Sequence, residues 1–121
     1  MAVDAEVQGG LDALLLPWQG VTSRSMFGGV CYMVDGKMFA ALMEGVVGMK
    51  LPDELRDRAL TMAGVSPFRG PLGRPFGRWV QFVILMEEDV SSVAPWLEAA
   101  RGHVASLPAP KRRGQRGARG A

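Results

Sequence analysis

The chain has 121 residues, 48% of them hydrophobic, which is enough for one domain with its own core and not for two. Its one cysteine, Cys31, excludes an intramolecular disulfide and a cysteine-based metal cluster, and fits a reducing, cytoplasmic compartment. The net charge of +2 is unevenly divided: residues 108–121 hold Lys111, Arg112, Arg113, Arg116 and Arg119 and no acid, so 14 less 5 leaves 9 basic residues against 12 acids in residues 1–107.

The body is therefore a domain of charge −3, residues 1–107, followed by a basic tail, residues 108–121, that is expected to be disordered. The first ten residues lack a basic and apolar leader, and no apolar run approaches the ~20 residues of a bilayer span, so no export signal or membrane segment is expected.

Residues 1–16 place Val3, Val7, Leu11, Leu14 and Leu15 at helical spacing. Gly9 and Gly10 each cost about 1 kcal/mol relative to alanine, which predicts a frayed first turn or a start after Gly10. Pro17 ends the helix.

Residues 24–50 then carry three turn signals, Gly28-Gly29, Asp35-Gly36 and Glu44-Gly45, between apolar segments of strand length. Asp-Gly supplies the positive φ of a tight two-residue hairpin. Segments 22–27, 30–34, 37–43 and 46–51 thus read as an antiparallel meander. Alternation in residues 37–43 would put Met38, Ala40 and Leu42 on one face and Phe39, Ala41 and Met43 on the other. Both faces are apolar, so helices or another copy of the chain must cover the second one, and a homodimer is expected. Methionines 26, 33, 38, 43 and 49 read as adaptable core filling.

Pro52, Asp53 and Glu54 open a second helix and Gly64 stops it, with Leu55, Ala59, Leu60 and Met62 on its apolar face and Glu54 positioned to pair with Arg58. Residues 65–77 hold three prolines and three glycines and read as a loop, with room for a short edge strand near Phe68. Its Phe68 and Phe76, beside Arg69 and Arg74, read either as part of a mobile, contact-making segment or as pins to the core. Residues 78–86 form the strongest strand and should lie centrally. A last helix, capped by Ser92 with Pro95 in its first turn, presents Val90, Val93, Leu97, Ala100, Val104 and Leu107 to the sheet. Pro108 and Pro110 stop it.

No constellation here specifies a reaction, so catalytic residues, cofactors and metals are not expected. The single histidine, His103, has no partners for a zinc shell or a nucleophile relay and reads as a surface residue near a helix C-terminus. The glycines lack the endings of phosphate-binding loops and read as corners. Cys31 reads as a small buried hydrophobe. Arg24, Lys37, Lys50 and Arg78 lie at or near strand ends, where cations either guard edges or converge on an anion or a partner's carboxylates. Lys111, Arg112, Arg113, Arg116 and Arg119, with no aromatic residue among them, suit at most weak, sequence-blind nucleic-acid contact.

The run Arg24-Ser25-Met26-Phe27-Gly28-Gly29, then Asp35-Gly36-Lys37-Met38-Phe39-Ala40 and Lys50, resembles the N-terminal domain of the TfoX/Sxy family of bacterial competence regulators. Pro67-Phe68 and Gly77-Arg78-Trp79-Val80 are similar to it too. The resemblance implies an α+β domain and a link to transcription of DNA-uptake genes. The longer competence regulators carry a second, C-terminal domain for which these residues leave no room, so a stand-alone TfoX N-terminal-like protein is expected. The expected fold is α+β, an antiparallel sheet of about five strands with three helices in the order α-β-β-β-β-α-β-α. The expected function is a non-catalytic regulatory domain acting through an unidentified protein partner. The alternative is a small-ligand or anion-binding domain using the strand-end cations.

Overall fold

The computed structural model describes residues 3–26, 28–70 and 73–108. Phe27, Leu72 and the basic run Lys111, Arg112, Arg113, Arg116 and Arg119 lie outside the described residues. The elements are α1 (Ala5–Leu15), β1 (Val21–Met26), β2 (Gly29–Val34), β3 (Lys37–Met43), β4 (Val46–Met49), α2 (Asp53–Ala59), β5 (Val65–Arg69), β6 (Pro75–Val83) and α3 (Glu88–Ala105). The α+β class holds, with six strands where about five were expected. The added strand is β5, the short edge strand near Phe68 for which the proline-rich stretch left room.

All six strands form one antiparallel sheet in the order β1-β2-β3-β4-β6-β5. β6 is paired on both sides, as its apolar sequence demands, yet stands one strand in from the edge. At the β2–β3 turn Asp35 has φ 52° and Gly36 φ 80°, the doubly left-handed turn that matches strand twist. The first corner differs from the expected Gly28-Gly29: Met26 pairs with Gly29, so Gly29 belongs to β2 and Gly28, at φ 77°, to the turn.

α1 runs through Gly9 and Gly10 rather than starting after them. The Asp4 carboxylate accepts from the backbone N–H groups of Glu6 (2.8 Å) and Val7 (3.0 Å) and caps the helix. Gly10 allows close packing on α3, since a Cβ there would stand 3.2 Å from Val90 Cγ2. α3 starts at Glu88, four residues before Ser92, and Asp89 Oδ2 accepts from Leu85 N and Met86 N at its entrance. Pro95 consequently lies inside the helix, where burial of Val90, Val93, Leu97, Ala100 and Val104 offsets the lost backbone bond. In α2, Asp53 pairs with Arg56 and Arg78, while no Glu54–Arg58 pair forms among the described residues.

α1 and α3 cover one face of the sheet. The core there joins Val7, Leu11 and Leu15 to Tyr32, Phe39, Leu42, Met49, Val80 and Ile84 and to the α3 stripe. The expected alternation in β3 fails at one point. Tyr32 pairs with Ala40 but Met33 with Met38, so Phe39 is an extra residue, a bulge. Phe39, Ala40 and Leu42 therefore all enter the helix-side core, while Met38, Ala41 and Met43 face the other way.

Candidate functional site

The face away from the helices carries its own small cluster. Cys31, Ala41, Phe68 and Trp79 are buried there, with Met26, Met38, Met43, Val46 and Phe76 half-buried around them. Strand register explains the arrangement. Arg24, Cys31, Ala41, Gly48, Gln81 and Ser66 lie side by side in one row across all six strands, and directly opposed residues share a face. The middle of that row is built of small side chains, so it forms a trough.

One end of the trough is filled. Phe68 lies over Gly48, whose Cβ position would be only 2.5 Å from the ring. Phe68, Phe76 and Trp79 pack together with centroids 5.1 to 5.8 Å apart, Phe76 edge-on to both of the others. These rings pin the β5–β6 hairpin onto the sheet, as the sequence suggested for the two phenylalanines. Arg69 also stays within its hairpin, donating to the Gly73 carbonyl at 2.9 Å.

The neighbouring row of the same face, Met43, Val46 and Val83, stays open at β6. Val83 sits opposite Val46 and is 47% exposed, followed by Leu85 at 64% and Met86 at 55%. Val83 and Leu85, with half-buried Met43 and Val46, form an apolar patch along the β3–β4 turn, where Leu85 Cδ2 stands 3.6 Å from the Cβ position of Gly45. Residues 78–86 read as one buried strand, but β6 ends at Val83, and Val83, Leu85 and Met86 emerge at the surface while Ile84 stays in the helix-side core.

The four strand-end cations are divided. Lys37 lies on the helix side and donates from Nζ to the carbonyls of Ala105 (3.3 Å) and Leu107, which closes the end of α3. Arg78 is exposed and bonds Asp53 Oδ1 of α2 at 3.1 Å. Arg24 lies on the open face, directly across from Cys31. Lys50 follows the core residue Met49, so the pleat directs it away from the helix-side core. Lys37 and Arg78 are thus engaged with this chain's own oxygens, and the four do not meet on one face.

Of the family-motif residues, Gly28, Asp35 and Gly36 make turns and Phe39 is core. Gly29 is required by close approach, because a Cβ there would be 2.3 Å from the Leu42 carbonyl oxygen and 2.5 Å from Met43 Sδ. Met26 and Met38 line the open face. His103 lies half-buried in the last turn of α3. Among the described residues, no group of three or more His, Cys, Asp or Glu side chains could hold a metal, and no helix is long and apolar enough to cross a membrane.

Burial pushes the Cys31 thiol above its ordinary pKa, with Arg24 opposing the rise. Tyr32 is raised further, first by burial and then by its hydrogen bond to Asp12.

Comparison with curated proteins returned no match. A family model, the TfoX N-terminal domain, matches residues 13–103, about three-quarters of the chain and nearly all of the fold just described. The chain belongs to the TfoX N-terminal domain family.

Proposed function

We propose that this domain is a non-catalytic regulatory module that acts through protein contacts in transcriptional or competence-related control within the cytoplasm. Membership of the TfoX N-terminal domain family supports a regulatory or competence-related role. The observation that carries the protein-contact reading is the patch of Val83 and Leu85 beside the β3–β4 turn, two large apolar side chains each about half exposed or more. A contiguous apolar surface of this kind marks an interaction site more often than scattered single residues do. The first partner to test is a second copy of the chain, since the sheet is apolar on both faces and the helices cover only one.

Sedimentation of the full chain at ~100 μM, above the micromolar range of modest interfaces, tests self-association. The double variant Val83→Glu, Leu85→Glu should shift the species to monomer with its circular dichroism unchanged. A native chain that is strictly monomeric at that concentration removes self-association.

A further inference from the structure

The open face also encloses a cleft of about 50 Å³, lined by Met26, Cys31, Met38, Ala41, Met43 and Phe68 together with Phe76, and almost wholly apolar. It is too small for an organic ligand, whose sites run to roughly 300 Å³ or more, and large enough for a single ion. Four of the side chains around it carry sulfur, Cys31 as a thiol and Met26, Met38 and Met43 as thioethers. Cys31 is 7% exposed, and among the described residues no hydrogen bond reaches its thiol.

Register explains why these sulfur-bearing side chains line one cleft. Met26 pairs with Gly29, one row along the open face from Cys31, and Met43 Sδ occupies the space above Gly29 that a Cβ would fill. Met38 approaches from the opposite side, in the row formed with Met33. Thioethers from two strands therefore flank the thiol from above and below, within the reach of diagonal neighbours on a sheet.

We propose that Cys31, Met26, Met38 and Met43 form a binding site for one soft monovalent metal ion, of which Cu(I) is the biological example. Thiolate and thioether sulfur select soft ions of this kind over zinc, magnesium or calcium. Binding exchanges the Cys31 S–H bond for an S–Cu bond and releases one proton to solvent, and the copper stays Cu(I) throughout. The charge then balances: a monovalent cation on one thiolate is neutral and the thioethers add none, so an apolar cleft holds the complex without a buried net charge. A divalent ion on the same ligands would leave a buried positive charge facing Arg24. A thiolate ligand must shed its proton to bind, so affinity rises with pH.

The test is an anaerobic titration of the full chain with Cu(I) against a chromophoric Cu(I) chelator, with native mass spectrometry to count ions. The expected result is one Cu(I) per chain, lost in Cys31→Ser. Met26→Leu, Met38→Leu and Met43→Leu conserve volume and should each weaken binding by at least the roughly tenfold that loss of an outer partner costs a metal site. Met86→Leu, at an exposed methionine, should change nothing. Circular dichroism of each variant separates a lost ligand from a lost fold. No one-to-one complex in the folded wild-type chain, or equal binding by Cys31→Ser, overturns the site. Equal binding by folded chains carrying all three leucine substitutions would mean that a thiol alone binds, and overturns it as well.

Discussion

The Tyr32 hydroxyl, at the centre of the helix-side core, donates to Asp12 Oδ1 of α1 at 2.7 Å. Tyr32 has no exposed surface, whereas Asp12 lies at the half-buried edge of its helix. The bond ties α1 to β2 and satisfies a hydroxyl that has no access to water. Its two ends are therefore unequal when cut. Asp12→Ala strands a buried donor, which costs about 1–3 kcal/mol, while Tyr32→Phe removes the donor and leaves a carboxylate that water can reach. Chemical denaturation should rank Asp12→Ala as the more destabilising of the two. The reverse order would mean that the ring hydroxyl is not sealed from solvent.

The same residue makes stability fall on the alkaline side. The pKa of Tyr32 is raised above its ordinary value of 10.0 by burial, then by the Asp12 bond, and burial raises Cys31 above 9.0. Both groups hold their protons more tightly folded than unfolded. Their contributions are therefore complete below about pH 9 and are lost as the pH rises past the unfolded values of 9 and 10, by at most about 1.4 kcal/mol per pH unit for each group. Because the chain contains one tyrosine and one cysteine, tyrosinate absorbance followed with pH assigns the steps directly. Tyrosine ionisation should coincide with unfolding. Ionisation near pH 10 in a chain that stays folded would contradict the buried hydrogen bond.

Much of this fold is legible in the sequence, because turn chemistry is local. Asp35-Gly36 fixes a two-residue hairpin through the backbone angles of those residues alone, and the meander follows from its turns. Strand identity in residues 78–83 is equally local. What escapes is set by partners distant in the chain. The bulge at Phe39 moves a ring from one face to the other, and nothing near residue 39 announces it. Asp4 caps α1 from a position that composition does not mark, and packing on Val90 explains why Gly10 is tolerated. The strand-end cations look alike in sequence, yet Lys37 has found the end of α3, 68 and 70 residues away. The sulfur-lined cleft combines a periodicity of two in β2 with a bulge in β3, and only the first can be read directly.

Glycines of the sheet should separate by cause. At Gly36 a Cβ would meet open space, so Gly36→Val costs only the strain of φ 80°, roughly 1–3 kcal/mol. At Gly29 a Cβ would meet the Leu42 carbonyl, which belongs to the β2–β3 ladder and cannot yield without opening it. Gly29→Ala should therefore cost more than Gly36→Val, although it adds less. Gly48→Ala strikes the Phe68 ring, a side chain that can move, so pairing it with Phe68→Leu should recover part of the loss. Denaturation midpoints for the four variants check the order, and independent costs for Gly48→Ala and Phe68→Leu would remove the contact inferred between them.

For the basic tail, the question is whether it binds or is merely solvated. Lys37 holds the carbonyl of Leu107, so the chain should be cut after Pro108, which keeps that carbonyl an amide and leaves the end of α3 as it is. If Lys111, Arg112, Arg113, Arg116 and Arg119 contact nucleic acid, they neutralise at most five phosphates. The slope of log K against log salt is then no steeper than about −4.5, and a fourfold rise in salt, from about 50 to 200 mM, weakens binding on the order of 500-fold. A body of charge −3 opposes rather than assists such binding. A labelled duplex titrated with full-length and shortened protein at both salts should show weak, sequence-independent binding that disappears with the tail, while the melting temperature hardly moves. Equal binding by the shortened protein would transfer any nucleic-acid contact to the folded domain, where Arg24 and Lys50 on the open side of the sheet become the cations to replace.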